Sequence, residues 1–225
     1  VTGPRISVIM PTYKPGPGIR TAIRSLLEQT WENLEVIIVD DGSPREYEAT
    51  LESLGIVDDR VRIIRQTQNL GPYVARNVGL AAATGELITT HDDDDWSHPD
   101  KLTIQASSLM ESTELVANTT AHVRTTADML FTRINSKPRH AQKNYSSLMF
   151  KREIIDEIGP WDEVNRGGDS EFEARILRTF GKSRSVDLKD IPASFTRVWH
   201  GSLTSGEMRR GYQAYSRQLY FQSYS

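Results

Sequence analysis

Two short, β-branched apolar runs, Ile6 to Met10 and Leu34 to Val39, flank a segment whose apolar residues recur at helical spacing. That alternation limits the folds open to the chain. A strand that reads as apolar on nearly every position must be covered on both faces, and a parallel sheet flanked by helices does this. Between the two runs, Ile19, Ala22, Ile23, Leu26 and Leu27 predict a helix over 19–29. The pattern then continues with a helix over 47–54, a strand over 61–65, a helix opening at Pro72 and stopping by Gly85, and a strand over 86–90. Repetition of this kind predicts an α/β fold with a doubly wound, mostly parallel sheet.

The second half changes character. Helices are expected over 101–110, 152–158 and 170–180 and after Ser205, with strands over 115–118, 122–126, 184–188 and 194–199 in a mixed sheet. The polar stretch 131–146 is expected to be a long loop. With 225 residues, no internal repeat and no low-complexity linker, the chain is read as one domain, 1–225, with functional halves at about 1–99 and 100–225. The Val-Thr-Gly-Pro opening, without an initiator Met, points to a domain excised from a longer protein.

Composition removes several classes of function. A net charge of −3 with scattered basic residues argues against a nucleic-acid partner. No apolar run approaches the roughly 18 residues of a membrane span. The N-terminus has no signal-peptide pattern, and the lack of cysteine excludes disulfides and thiolate–metal chemistry. A cytoplasmic location is expected, with any membrane association supplied by parts of a longer protein.

Ligands of open α/β sheets bind beyond the carboxyl ends of the strands, and three strand ends here are chemically loaded. The first carries Pro11-Thr12-Tyr13, with a ring suited to stacking on a base. The second carries Asp40-Asp41-Gly42-Ser43, whose carboxylates can accept from a base imide or a ribose; it is also an ordinary turn sequence. The third empties into Asp92-Asp93-Asp94-Asp95. Four adjacent carboxylates repel one another and are best tolerated where some reach water and others meet a hard cation such as Mg²⁺ or Mn²⁺. A solvated acidic turn is the plainer alternative. Arg76, on the helix from Pro72, would add a cation near bound phosphates, or be an exposed helix arginine facing away from the core side of Val74, Ala75, Val78 and Ala82. No Gly-x-x-x-x-Gly-Lys loop is present to cradle phosphates.

Taken together, these segments resemble the family 2 glycosyltransferases, which have the nucleotide-sugar-binding fold called GT-A. The likeness is carried by residues 7–13, 34–43, 69–77, 85–86 and 91–99, and then by Ser147 to Arg152, Gly159-Pro-Trp-Asp162, Gly168-Asp169-Ser-Glu171 and Arg197-Val-Trp-His200. Lys14 stands where many members have Asn, and His91 where many have an apolar residue. The resemblance implies a metal-dependent, inverting transfer of sugar from a nucleoside-diphosphate sugar, UDP-linked above all, to a carbohydrate or other hydroxyl acceptor. It implies nucleotide contacts at Pro11, Thr12, Tyr13, Asp40, Arg76, Asp92, Asp93 and Arg197. The metal, Mn²⁺ or Mg²⁺, would sit on Asp94 and His200, with the register inside the four aspartates open by one residue. The general base would be Asp169, with Glu171 in reserve. The spacing of Ser170 and Glu173 also suits a helix capping box, and Glu171 can pair with Arg175. Two rival readings stay open: a sugar-nucleotide-forming nucleotidyltransferase, and a non-catalytic carbohydrate-binding module.

Overall fold

The computed structural model describes residues 1–133, 139–198 and 215–224. Its first half alternates as the sequence predicts: β1 (Ile6–Thr12), α1 (Ile19–Leu27), β2 (Leu34–Asp40), α2 (Glu48–Gly55), β3 (Val61–Arg65), α3 (Pro72–Ala82) and β4 (Leu87–Thr90). These four strands lie parallel in the order β3-β2-β1-β4. Side chains alternate across them. Ile6, Val8, Met10, Leu34, Val36 and Ile38 pack under α1 with Trp31, Leu54 and Leu102. Ile9, Ile37, Val39 and Ile88 pack under α3 on the other face with Trp161 and Phe172.

Beyond β4 the sheet turns mixed. It adds β5 (Trp96–Ser97), β6 (Ala117–Thr125), β7 (Phe131–Thr132), β8 (Ala141–Lys143), β9 (Met149–Lys151) and β10 (Ser185–Arg197), with helices α4 (Lys101–Glu111), α5 (Ile155–Ile158), α6 (Gly168–Phe180) and α7 (Tyr215–Tyr224). β9 joins the halves, running antiparallel to both β4 and β6. β6 is one strand where two were expected. The short β9, β8 and β7 follow one another along one of its edges, and β10 runs parallel along the other. Two of those short strands lie inside the stretch expected to be a loop. β10 is likewise continuous, because register shifts between Leu188 and Ser194 absorb Pro192, which has no amide to donate. The expected start of the last helix, after Ser205, lies outside the described residues.

α3 differs from expectation in which face it buries. Tyr73, Ala75, Arg76, Gly79 and Leu80 are its buried residues, while Val74, Val78 and Ala82 are only half-buried. Gly79 sets this orientation, since a β-carbon there would collide with Ile9 and come within 3.3 Å of Val39. The helix backbone therefore lies directly on β1 and β2, bringing Tyr73 and Arg76 over the strand ends. Gly79→Val should lift α3 from the sheet and destabilise the fold by about 1–3 kcal/mol, the usual cost of overpacking. Urea denaturation followed by tryptophan fluorescence measures this.

Candidate active site

Arg76 occupies the centre of the polar groups gathered at the strand ends. Its guanidinium is buried, with one Nη donating to Asp169 Oδ1 at the start of α6 and the other to Asp92 Oδ1 at 3.1 Å. The two carboxylates hold the guanidinium protonated well above its already high value, against the cost of burial. The same Asp169 accepts from Tyr73 Oη at 3.1 Å and donates its own amide back to that oxygen at 3.2 Å. The Arg76 guanidinium also lies over the Tyr73 ring, 4.9 Å from its centroid. Gly167 turns the chain in the left-handed region at φ +79°, and a β-carbon on Gly168 would fall 2.6 Å from the Tyr73 ring, so both glycines are needed to seat Asp169 here. Burial raises the Asp169 carboxyl above its ordinary value, and Arg76 opposes the shift.

The helix bearing Asp169 begins at Gly168, ahead of the point a Ser170–Glu173 capping box requires. Ser170 bonds back to the Gly167 carbonyl, and Glu173 pairs with Lys143. Glu171 is buried against Arg175, at 2.6 Å, and also faces Arg178. That pair points toward the Gly159-Pro-Trp-Asp162 turn, where Arg175 donates to the Ile158 and Pro160 carbonyls. The structure thus brings Asp169 to Arg76 and leaves Glu171 with Arg175. Asn77 ties the same turn to α3 by exchanging two hydrogen bonds with the Trp161 backbone, at 2.9 and 3.0 Å.

The four aspartates have four different surroundings. Asp92 is half-exposed and holds Arg76. Asp93 accepts from Thr12 Oγ1 at 2.5 Å, and loss of water, reinforced by Asp94 and Asp92, pushes its carboxyl up to about 7. Asp94 is half-buried beside Arg197: a β-carbon on Gly18 would lie 3.2 Å from both Arg197 Nη1 and Asp94 Cα. Asp95 is buried and accepts from Thr196 Oγ1 at 3.0 Å and the Arg197 amide at 3.1 Å, which binds the loop to the end of β10. Lys101 lies buried within reach of Asp95 and Asp92, its amine brought down to about 8 by burial. His91 packs below, between the Asp92 carbonyl and Ser97 Oγ.

A second group of polar side chains gathers at the ends of β1 and β2. Asp40 is buried and accepts from the Ser43 amide at 3.1 Å. It lines a cleft of about 350 Å³ with Ser43, Arg45, Glu48, Arg65 and Gln66. The Gln66 Oε1 in that cleft is buried without a hydrogen-bond partner. Pro11 and Thr12 end β1, and the exposed Tyr13 ring follows them, with Lys14 folded over it at 5.1 Å and the Lys14 amide on Ser43 Oγ. Asp41 has a separate task, accepting from the Leu70 and Gly71 amides at 2.8 Å to fasten the loop that starts α3. His200 lies outside the described residues.

Among the described residues, no three carboxylate or imidazole side chains close into an ion cage. One or two carboxylates at an open edge, as at Asp94, instead suit a Mg²⁺ or Mn²⁺ ion whose coordination is completed by phosphate and water. Sequence reasoning missed Tyr73, Lys101 and the structural task of Asp95. For Tyr73 a signal existed: it precedes Arg76 by three residues and so shares its helix face.

The sequence model described as glycosyl transferase family 2 matches residues 7–159. An uncharacterized glycosyltransferase of Haemophilus influenzae is 37% identical over 109 residues, 48% of this chain and 44% of that protein. The chain spans less than half the length of the curated relatives it matches. Staphylococcus aureus TarS, residues 1–349 in complex with UDP-GlcNAc, superposes with a TM-score of 0.71 at 20% identity over 89% of this chain and 60% of that one. The mannosyltransferase PcManGT of Pyrobaculum calidifontis, in complex with GDP-Man and Mn²⁺, gives a TM-score of 0.71 at 21% identity over 92% of this chain and 61% of that one. The fold is of the GT-A type.

Arg76→Met should leave Asp169 buried without its cation and cost about 3–5 kcal/mol. Adding Asp169→Asn should recover part of that loss, since the neutral amide needs no counter-charge. A double-mutant cycle by urea denaturation reads both steps.

Proposed function

The chain belongs to glycosyl transferase family 2, and on that premise we propose that it moves a sugar from a nucleoside diphosphate to a hydroxyl acceptor, with metal assistance and inversion at the anomeric carbon. The observation that carries this reading is Arg76, shared between Asp92 on the aspartate loop and Asp169 on α6. One cation thereby joins the donor side to the proton acceptor. The whole of 1–225 acts as one domain, with 1–99 holding the donor and 100–225 meeting the acceptor.

The nucleoside sits in the Asp40–Gln66 cleft, where the unpartnered Gln66 Oε1 and the Asp40 carboxylate await donors of a base or ribose, and Tyr13 stacks at its mouth. Pro11 and Thr12 shape the floor, and Asp93 faces the ribose. The diphosphate lies between Asp94 and Arg197. Asp94, completed by His200, would hold Mn²⁺ or Mg²⁺, which supplies Lewis-acid neutralisation of the diphosphate when bound. UDP is the expected carrier, in keeping with the TarS complex, whereas the mannosyltransferase complex holds GDP-Man and Mn²⁺.

Transfer forms a bond from the acceptor oxygen to the anomeric carbon as the bond from that carbon to phosphate breaks. The bonding pair leaves with the diphosphate and the hydroxyl proton passes to Asp169. Burial makes Asp169 a stronger base than a surface aspartate, and Arg76 keeps it ionised. Glu171, committed to Arg175, is the reserve.

Calorimetry with UDP, with and without Mn²⁺, separates this reading from a carbohydrate-binding module, which would not bind UDP. Asp94→Ala should abolish the metal-dependent part of binding while leaving the fold intact; unchanged UDP–Mn²⁺ affinity would refute the metal assignment. Hydrolysis of a panel of UDP- and GDP-sugars, with water as acceptor, then tests the base. Asp169→Asn should slow it about 10²-fold or more with donor affinity retained, and Glu171→Gln should leave the rate of the folded enzyme unchanged. Loss confined to Glu171→Gln would move the role to that residue.

A further inference from the structure

The turn between β6 and β7 presents three consecutive large apolar side chains to solvent, Met129, Leu130 and Phe131, at 55%, 64% and 54% exposure. Single exposed apolar residues are ordinary; a run of three at one tip is not. The turn is well built. Thr126 donates its amide to the Leu130 carbonyl at 3.0 Å, the Met129 amide bonds the Thr126 carbonyl at 3.1 Å, and the Leu130 amide bonds Thr126 Oγ1 at 3.2 Å. Met129 is held in the left-handed region at φ +60°, which a non-glycine residue adopts only when its surroundings impose it.

Positive charge flanks the tip. Arg133 follows Phe131 by two residues, and His140, whose ring stands 6.2 Å from that of Phe131, brings the exposed Arg139 to the same place. Arg133 and Arg139 are both exposed, in a chain whose net charge is −3. Asp128, at the turn itself, is the acid next to the tip. Rings tie the tip to the rest of the sheet: Phe131 lies 6.1 Å from Phe195, and Phe195 stacks on Trp96 at 5.3 Å, one residue beyond Asp95.

We propose that this hairpin tip docks on an anionic lipid surface, with Met129, Leu130 and Phe131 entering the headgroup boundary and Arg133 and Arg139 meeting the lipid phosphates. Apolar residues at the point with cations behind them match the profile of such a surface, apolar inside and negative at its face. A second copy of the chain fits poorly, because a two-fold contact through this tip would set the arginines of each copy against those of the other. The ring stack then fixes the aspartate loop at a set height above the lipid.

The 225-residue chain should float with vesicles of phosphatidylcholine and phosphatidylglycerol, bind much less to phosphatidylcholine alone, and be released by salt. Arg133→Glu with Arg139→Glu should weaken partition by about 25-fold or more, taking roughly fivefold for each charge removed. Leu130→Ser with Phe131→Ser should weaken it about tenfold or more, and Asp128→Asn should strengthen it. Thermal melts by circular dichroism show that each variant is folded. No flotation of the parent chain, or flotation indifferent to all three changes, overturns the proposal. So does a dimer, seen by light scattering, that dissolves in the Leu130/Phe131 variant without any vesicle binding.

Discussion

A buried guanidinium must be surrounded by negative charge or it will not stay buried, and Arg76 meets that demand with carboxylates from two distant parts of the chain. The Asp92 contact draws the aspartate loop toward α3, and the Asp169 contact draws α6 down onto the same helix. Tyr73 completes the arrangement by holding Asp169 through both its carboxylate and its amide. An ion pair of this kind contributes little net stability against its desolvation. Its value is positional: it fixes the separation between the aspartate loop and the start of α6.

The same economy explains the four aspartates. Adjacent carboxylates cannot all ionise in a dry site without help, and each is relieved differently. Arg76 balances Asp92, Thr12 donates to Asp93, and Asp95 receives two hydrogen bonds from β10 with Lys101 nearby. Asp94 lies half-buried near Arg197. A run that looks uniform in the sequence takes four different environments because the surroundings of successive loop residues differ.

Much of the first half is legible in the sequence because its signals are local. The β-branched runs, the helical spacing of Ile19 to Leu27 and the proline that opens α3 all depend on near neighbours, and the structure repeats them. The resemblance of short motifs marked the strand ends for the same reason. What the sequence concealed depends on distant partners. Nothing near Arg76 indicates that one of its counter-charges lies 93 residues away, and its aliphatic neighbours alone point it away from the buried face it occupies. The loop expected over 131–146 contains β8 because β6 offers it an unpaired edge, which composition cannot reveal. Pro192 and the charges in 184–197 resemble a break, yet register shifts carry β10 through them.

The attachment of Asp95 to β10 also bears on the order in which the molecule is completed. The four parallel strands β3-β2-β1-β4 all lie within residues 6–90, but the hydrogen bonds that seat Asp95 span 101 and 102 residues. Contacts of such long sequence separation form late, after the local structure they join. The cleft lined by Asp40 and Gln66 is therefore built from residues close in sequence, whereas the aspartate loop has no seat until β10 is in place. The cleft and the aspartate loop thus rest on different spans of the chain and are completed at different moments of folding.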